Sequence, residues 1–142
     1  MQFFSESQQQ KIIQEIKLAE ARTSGEIKVH IEPHCQGGDP YKRAQEVFKF
    51  LLLDKTALHN GVLFYLAFED KRFAVIGDKG INEKVGQTFW DSTKELMVQN
   101  FKKGDFELGF CSAIEEAGFQ LKKYFPYQSN DTNEISDEIS FG

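Results

Sequence analysis

The sequence predicts an α/β fold, a three-layer α/β/α sandwich with a small mixed sheet flanked by four or five helices. The run Gly61–Phe68 is apolar at successive positions, and a charged turn separates it from a second apolar run at Phe73–Ile76. This pattern is typical of a β-hairpin in a sheet that is covered on both faces. A segment with strand periodicity and a segment with helical periodicity precede the hairpin, which gives the order strand, helix, hairpin.

The first helix is predicted at about residues 7–22. Ser5 and Gln8 have the spacing of a capping box, and apolar side chains at helical spacing give the helix one buried face. The segment Glu26–Glu32 then alternates apolar and polar residues, which predicts a strand at or near a sheet edge. His30 lies on the polar side of this strand, so we expect its imidazole to be solvated.

The second helix is predicted at about residues 41–53, with Asp39 as its N-cap and Pro40 as its first residue. Its polar side, which includes Arg43, is expected to face solvent. A strand, a helix and a second strand in this order predict a parallel pair of strands. The hairpin adds an antiparallel third strand, which makes the sheet mixed.

Three helical segments follow the Gly-rich loop Gly77–Gly80. They are predicted at about residues 82–86, 88–101 and 106–124, and Asp105 is the expected N-cap of the last one. We expect these segments to complete the helical layers of the sandwich.

The chain divides into a folded domain, residues 1–126, and an acidic tail, residues 127–142. The tail contains four acidic residues and no Lys or Arg, so we expect it to be disordered. An alternative follows from Ile135, Ile139 and Phe141, whose side chains would let the last residues pair with an exposed sheet edge or a partner.

The net charge of −5 comes mostly from this tail, and the body has no basic stripe, which argues against nucleic acid as a partner. The start of the chain lacks the pattern of a secretory signal, and no stretch is apolar enough to span a bilayer. Two isolated cysteines make no disulfide framework. We therefore expect a cytoplasmic monomer with reduced thiols, and a protein partner is left open.

Cys35 and the residues after it invite a comparison with cysteine phosphatases, which place an arginine six residues after the nucleophile. Here the sixth residue is Tyr41, and Arg43 comes two residues later. Pro40 also removes a backbone amide that a phosphate cradle needs. The spacing therefore favours a loop with an incidental thiol.

Polar residues occur where the predicted strands begin and end. The starts of the two parallel strands share one end of the sheet, and the antiparallel third strand returns to it. We therefore expect residues 23–26, 59–61 and 77–80 to lie close together. Their oxygen donors suit a hard cation, Ca²⁺ or Mg²⁺, although ordinary turn chemistry explains the same residues. The candidate metal ligands are Glu26, Asn60, Asp78 and, from the following turn, Glu83.

The opposite end of the sheet is a second candidate site. Ligands of α/β sheets usually lie beyond the carboxyl ends of the parallel strands, which favours this end. The charges of the hairpin turn are balanced, as in a solvated turn, so we rank this end second. Its polar residues are Glu32, His34, Cys35, Glu69 and Asp70.

Six short segments follow one another along the chain: Thr23–Ile27, Asn60–Leu63, Asp70–Arg72, Gly77–Ile81, Phe89–Trp90 and Phe101–Phe106. In this order and spacing they resemble the TPM domain family, which is named for a thylakoid-lumen protein, a photosystem II repair factor and a modulator of acetylcholine receptors. The resemblance spans about residues 3–126 and is closest to the short soluble bacterial branch.

The resemblance implies an α/β/α sandwich that binds divalent cations, calcium in particular, in loops at one end of the sheet. An acid-phosphatase activity is attributed to plant members of the family, but no nucleophile or phosphate cradle is evident here. Many members have a signal peptide and a membrane anchor, and this sequence shows neither. The segment Ile81–Val85 differs from that of the longer extracytoplasmic members, which bears on Glu83 as a ligand.

Three functions are consistent with the sequence. The first is a Ca²⁺-binding domain with a regulatory or repair-type role. The second is a metal-assisted phosphohydrolase, with a cation on Asp78 and Glu26 and with Lys79 neutralising charge. The third is a scaffold whose acidic tail contacts a protein partner.

Overall fold

The computed structural model describes residues 3–127 and 136–142. These residues form two compact units: a helical unit, residues 3–25 and 85–127, and a sheet unit, residues 26–84 and 136–142. The described residues contain five α-helices and four β-strands, and the strands form one mixed sheet. The α/β class predicted from the sequence is therefore confirmed. In the described part of the chain, no helix is long and apolar enough to cross a membrane.

The sheet has four strands. They are β1 (Glu26–Glu32), β2 (Gly61–Ala67), β3 (Arg72–Gly77) and β4 (Ser140–Phe141). Their order across the sheet is β3-β2-β1-β4. β1 runs parallel to β2 and to β4, whereas β2 and β3 form an antiparallel hairpin. The predicted parallel pair and hairpin are confirmed, and β4 adds a fourth strand to the three that the sequence predicted.

The second helix, α2 (Pro40–Phe50), packs against β2 and β3. Asp39 caps it by accepting hydrogen bonds from the first backbone N–H groups, and Pro40 has no N–H to leave unbonded. The helix ends before the predicted boundary because Leu52 adopts a left-handed φ of 61°, which leads into a 3₁₀ turn at Leu53–Lys55. Side chains of these elements and of Cys35, in the loop after β1, form a core cluster that also contains Ala44, Val47, Phe48, Leu53, Leu63, Tyr65, Ala67 and Ala74.

β1 differs from the sequence prediction. It lies between β2 and β4 and not at an edge, and all seven of its residues are buried. His30 is 4% exposed, so the prediction of a solvated imidazole is wrong. The polar residues of β1 stand at alternate positions, so they share one face of the strand. This face is covered by protein, and hydrogen bonds replace the contacts with water.

The last residues also differ from the prediction of a disordered tail. Ser140–Phe141 pairs with β1 as β4, and the Gly142 N–H donates to the Ile31 carbonyl at 2.9 Å. This is the sheet-edge alternative considered for the tail, and it holds for residues 136–142. Residues 128–135 of the predicted tail lie outside the described residues, and the domain boundary stays a prediction.

The Gly-rich loop after β3 forms a helix earlier than predicted. The short helix α3 spans Lys79–Asn82 and begins before the turn expected at residues 82–86. Asp78 is its N-cap, since the side chain of Asp78 accepts a hydrogen bond from the Lys79 N–H. The segment Gly77–Gly80, which has the composition of a loop, therefore contains the start of a helix.

The helical unit contains the remaining three helices. They are α1 (Glu6–Glu20), α4 (Asp91–Lys102) and α5 (Phe106–Lys122), with a 3₁₀ turn at Gln87–Trp90. Both α1 and α4 pack against α5. The predicted capping box of Ser5 and Gln8 is present. α1 and α5 touch closely, because a Cβ on Gly118 would lie 2.9 Å from the Cβ of Ala19.

Candidate functional site

The strand ends bring three predicted ligands to one rim of the sheet. Glu26 at the start of β1 is in register with Gly61 at the start of β2, and the Glu26 N–H donates to the Asn60 carbonyl at 3.3 Å. The end of β3 arrives at the same place, because the Asp78 N–H donates to the Gly61 carbonyl at 2.9 Å. The predicted convergence is confirmed for residues 26, 60, 61 and 78. We call residues 26, 59–61 and 77–80 the Asp78 rim.

The two carboxylate oxygens of Asp78 have different surroundings. Oδ1 accepts from the Lys79 N–H at 2.8 Å and thereby caps α3. Oδ2 is buried and accepts no hydrogen bond from the described residues, while His59 Nδ1 lies 3.5 Å from it. A buried carboxylate oxygen that has lost its water and gained no donor is unfavourable. Oδ2 therefore has unused acceptor capacity.

The loop before β2 is held in an unusual conformation next to α3. His59 has a φ of 50°, in the left-handed region that residues with side chains rarely adopt. Its carbonyl accepts a hydrogen bond from the Gly80 N–H at 2.9 Å. A Cβ on Gly80 would lie 2.4 Å from the Leu58 carbonyl oxygen and 2.5 Å from that of His59. Glycine is therefore needed at this position to bring α3 so close to the loop.

Other predicted contributors to this site are exposed or bonded elsewhere. Glu83 is an exposed residue at the C-terminal end of α3. Thr23, in the helical unit, donates its hydroxyl to the Phe125 carbonyl, and the Ser24 N–H donates to the same oxygen at 2.9 Å. Among the residues that the structure describes, no group of three or more His, Cys, Asp or Glu side chains is placed to hold a metal ion. A cation at the Asp78 rim would therefore need amide or carbonyl oxygens as well.

A buried polar network at the end of β1 centres on Glu32. Arg43 donates from Nε to Oε2 at 2.8 Å and from Nη2 to Oε1 at 2.9 Å. Tyr65 donates its hydroxyl to Oε2, and His30 Nε2 lies 3.1 Å from Oε1. Burial raises the pKa of Glu32, but the bonds from Arg43, Tyr65 and His30 outweigh it and lower this pKa from 4.5 to about 2. Arg43, predicted to face solvent, is therefore the partner of an ionised carboxylate. We call these four residues the Glu32 network.

His30 connects this network to β4. Its Nδ1 lies 2.8 Å from the hydroxyl oxygen of Ser140, and its ring stacks on that of Tyr65. Burial lowers the pKa of His30, so the imidazole is neutral at pH 7. Because the ionised Glu32 can only accept, Nε2 carries the proton and Nδ1 accepts from the Ser140 hydroxyl. Hydroxyl, imidazole and carboxylate therefore form one hydrogen-bonded chain.

Lys28 extends the same polar face of β1. Its Nζ donates to the Ser136 carbonyl at 3.0 Å and to the Glu138 carbonyl. Lys28, His30 and Glu32 alternate along the strand, so they lie on one face, and they are 6%, 4% and 4% exposed. The alternation in the sequence is the signal for this shared face. It does not reveal that the last residues of the chain cover it.

The hairpin turn at this end of the sheet is exposed, as predicted, and its acidic side chains contact the loop after β1. Asp70 accepts from the Cys35 N–H at 2.7 Å and lies 3.0 Å from His34 Nδ1. The hydrogen bond between the Asp70 and His34 side chains lowers the pKa of Asp70 and raises that of His34. Glu69 lies 3.6 Å from the other ring nitrogen of His34. Cys35 lies in the loop after β1, as predicted, and its side chain is buried in the core of the sheet unit.

Comparisons with known proteins agree with the fold. The sequence model of the TPM domain family matches residues 1–119. The chain is similar to the solved structure of the BA42 protein from the psychrophilic bacterium Bizionia argentinensis, with 44% identity and a TM-score of 0.94 over 99% of this chain and 97% of that chain. It has the fold of the N-terminal domain of the cg2496 protein from Corynebacterium glutamicum, with 16% identity and a TM-score of 0.66 over 94% of this chain and 78% of that one. A comparison with curated proteins gives no significant match. Because the family model covers most of its length, the chain belongs to the TPM domain family.

Proposed function

We propose that this TPM domain binds a divalent cation, Ca²⁺ or Mg²⁺, at the Asp78 rim and has a regulatory or repair-type role. The observation that supports the proposal most directly is Oδ2 of Asp78, a buried carboxylate oxygen that accepts no hydrogen bond from the described residues. A cation beside this oxygen would offset the loss of its hydration.

The donors at this rim are mainly oxygens, which hard cations prefer to nitrogen or sulfur. Asp78 and Glu26 offer carboxylates, and Asn60 offers an amide oxygen; Glu26 and Asn60 are 4% and 2% exposed. Glu83, at the end of α3, is the fourth candidate ligand. His59 faces Oδ2 of Asp78 and would compete with a cation for this oxygen.

A Ca²⁺ titration followed by backbone amide chemical shifts tests the proposal. We expect residues 26, 59–61 and 77–83 to shift and to saturate at millimolar metal or below. Asp78→Asn keeps an oxygen that can cap α3 but removes the charge, so it should weaken binding about tenfold or more.

Asp39→Asn is the matched control, because Asp39 caps α2 as Asp78 caps α3. This variant should bind Ca²⁺ as the unmodified chain does. An absence of shifts at the rim in millimolar Ca²⁺ and Mg²⁺ would overturn the proposal, and so would an equal loss of affinity in both variants.

Metal-assisted hydrolysis of a phosphomonoester is the alternative that would use the same rim. Lys79 follows Asp78 directly and would neutralise charge on a phosphoryl group. Turnover that is lost on chelation and in Asp78→Asn would support this alternative. Turnover that survives both treatments would place the activity outside the Asp78 rim.

The scaffold alternative required a tail that is available to a partner. Residues 136–142 lie along β1 instead, so a partner of this segment would have to compete with β1 for it. The monomeric state and the cytoplasmic location stay predictions from the sequence.

A further inference from the structure

Residues 136–142 lie along β1 in the way that a bound peptide lies along a receptor strand. Ser140–Phe141 pairs in parallel with His30–Ile31, and the Gly142 N–H donates to a carbonyl of β1 at 2.9 Å. Backbone pairing of this kind gives affinity with little sequence preference. The pairing involves two of the seven residues of β1, so side chains must contribute to holding the segment.

β1 meets this segment with polar side chains. Lys28 Nζ donates to the carbonyls of Ser136 and Glu138, and His30 accepts from the Ser140 hydroxyl. With the segment in place Lys28 and His30 are both buried, and each has a side-chain hydrogen bond to it. The polar face of β1 is therefore complementary to the segment that covers it.

The Glu32 network selects glycine at position 142. A Cβ on Gly142 would lie 2.4 Å from Glu32 Oε1 and 2.8 Å from His30 Nε2. Glu32 cannot move aside easily, because Arg43 holds both of its oxygens. A larger residue at this position would therefore collide with a group that is fixed from the other side.

At positions 139–141, the protein restricts the side chain at some positions and leaves it free at others. Ile139 is 8% exposed, and Ser140 supplies the hydroxyl that His30 accepts. Phe141 is 54% exposed, so β1 places little restriction on that side chain. The face of β1 therefore matches the pattern apolar residue, serine, any residue, glycine.

We propose that this face of β1 is a peptide-binding site whose partner is an extended segment with the pattern apolar-Ser-x-Gly. Residues 136–142 occupy the site within the same chain and compete with the partner segment. Covalent attachment gives such a competitor a local concentration on the order of millimolar. A partner segment therefore binds measurably when it has the higher affinity or when the chain's own segment is weakened.

The test uses the full ¹⁵N-labelled chain and a synthetic peptide of residues 136–142 that is blocked at both ends. Gly142→Ala weakens the chain's own segment through the collision with Glu32, while the residues of β1 stay unchanged. We expect the peptide to shift the amides of β1 saturably, with an apparent Kd about tenfold lower for this variant than for the unmodified chain.

Phe141→Ala is the matched control, because this side chain is exposed and unselected. Its apparent Kd should equal that of the unmodified chain. Ser140→Ala provides a second way to weaken the chain's own segment if Gly142→Ala disturbs the fold. A peptide that carries both Ser140→Ala and Gly142→Ala should bind about tenfold more weakly than the native peptide.

Two results would overturn the proposal. One is an absence of saturable shifts in β1 at millimolar peptide, in Gly142→Ala and Ser140→Ala chains whose spectra keep the dispersion of a folded protein. The other is equal binding of the native and the doubly substituted peptide, because the site would then have no preference for serine and glycine.

Discussion

Arg43 holds Glu32 through two parallel hydrogen bonds, from Nε to Oε2 at 2.8 Å and from Nη2 to Oε1 at 2.9 Å. The pair joins α2 to the end of β1, and the Glu32 side chain is 5% exposed. A carboxylate at this depth has lost most of its water, and a bidentate guanidinium replaces it with fixed donors. The end of β1 therefore depends on a residue of α2.

Arg43→Ala should destabilise the protein strongly, because it leaves Glu32 buried without its cationic partner. We expect the free energy of unfolding to fall by about 3 kcal/mol or more, as for other broken buried pairs. Urea unfolding at pH 7 measures the change. Arg43→Lys should recover a part of the loss, since lysine restores the charge but not the two parallel bonds.

Glu46→Ala is the control for this prediction. Glu46 is an exposed residue of α2 that lies 3.9 Å from Nη1 of the same guanidinium. Exposed pairs contribute little, so the loss should stay below about 1 kcal/mol. If the two alanine variants are equally stable, the Glu32 pair does not hold α2 to β1.

The pKa of Glu32 predicts how stability depends on pH. It is lowered to about 2 in the folded chain, from an ordinary value of 4.5, so the unfolded chain binds the proton more readily. The stabilisation is complete above pH 4.5 and is lost as the pH falls towards 2. A shift of this size corresponds to about 3 kcal/mol. Urea unfolding between pH 2 and pH 6 should show this loss.

Glu32→Gln separates this effect from that of other carboxylates. Glutamine cannot ionise, so the free energy of unfolding of this variant should fall less between pH 4.5 and pH 2 than that of the unmodified chain. Parallel curves for the two proteins would show that Glu32 is not the group that titrates.

The hairpin and α2 could be predicted because their signals are local. Successive apolar residues at Gly61–Phe68 require a sheet covered on both faces, and Asp39 with Pro40 marks a helix start regardless of the rest of the fold. The convergence of Glu26, Asn60 and Asp78 followed from strand directions alone. These parts of the structure need no knowledge of distant contacts.

The environment of β1 could not be predicted, because its determinants lie far away in the sequence. An alternating strand has one polar face, but Lys28, His30 and Glu32 do not indicate whether water or protein covers it. The cover is a segment more than a hundred residues downstream, which contributes a strand of two residues. So short a strand has no periodicity of its own. The structural role of Asp78 could not be predicted for a related reason, since helix caps and turns use the same residue types.

The histidines should titrate in a fixed order. Burial lowers the pKa of His30, whereas the hydrogen bond to Asp70 raises that of His34. In an NMR titration of the imidazole C–H signals, His30 should therefore change below pH 6.5 and His34 above it. Asp70→Asn should move the pKa of His34 back towards its usual value and leave His30 unchanged.

The lowered pKa of His30 also determines how the free energy of unfolding depends on pH. Between pH 6.5 and its folded pKa, the unfolded chain binds the proton and the folded chain does not, so the free energy of unfolding decreases as the pH falls through this range. The reverse order of titration, with His30 above His34, would mean that His30 is solvated and that β4 does not cover it.

Gly80→Ala should disrupt the Asp78 rim. The added Cβ would meet the carbonyl oxygens of Leu58 and His59 at 2.4 and 2.5 Å, and backbone atoms cannot yield as side chains do. We expect a loss of about 2 kcal/mol in urea unfolding, with amide shifts concentrated at residues 58–61 and 77–82. Gly86→Ala is the control, because a Cβ added there would meet no atom within 4 Å beyond the two adjoining residues, and the φ of −84° suits alanine. That variant should be unchanged or up to about 1 kcal/mol more stable. Equal stability of the two variants would show that α3 does not pack tightly on the loop that carries Asn60.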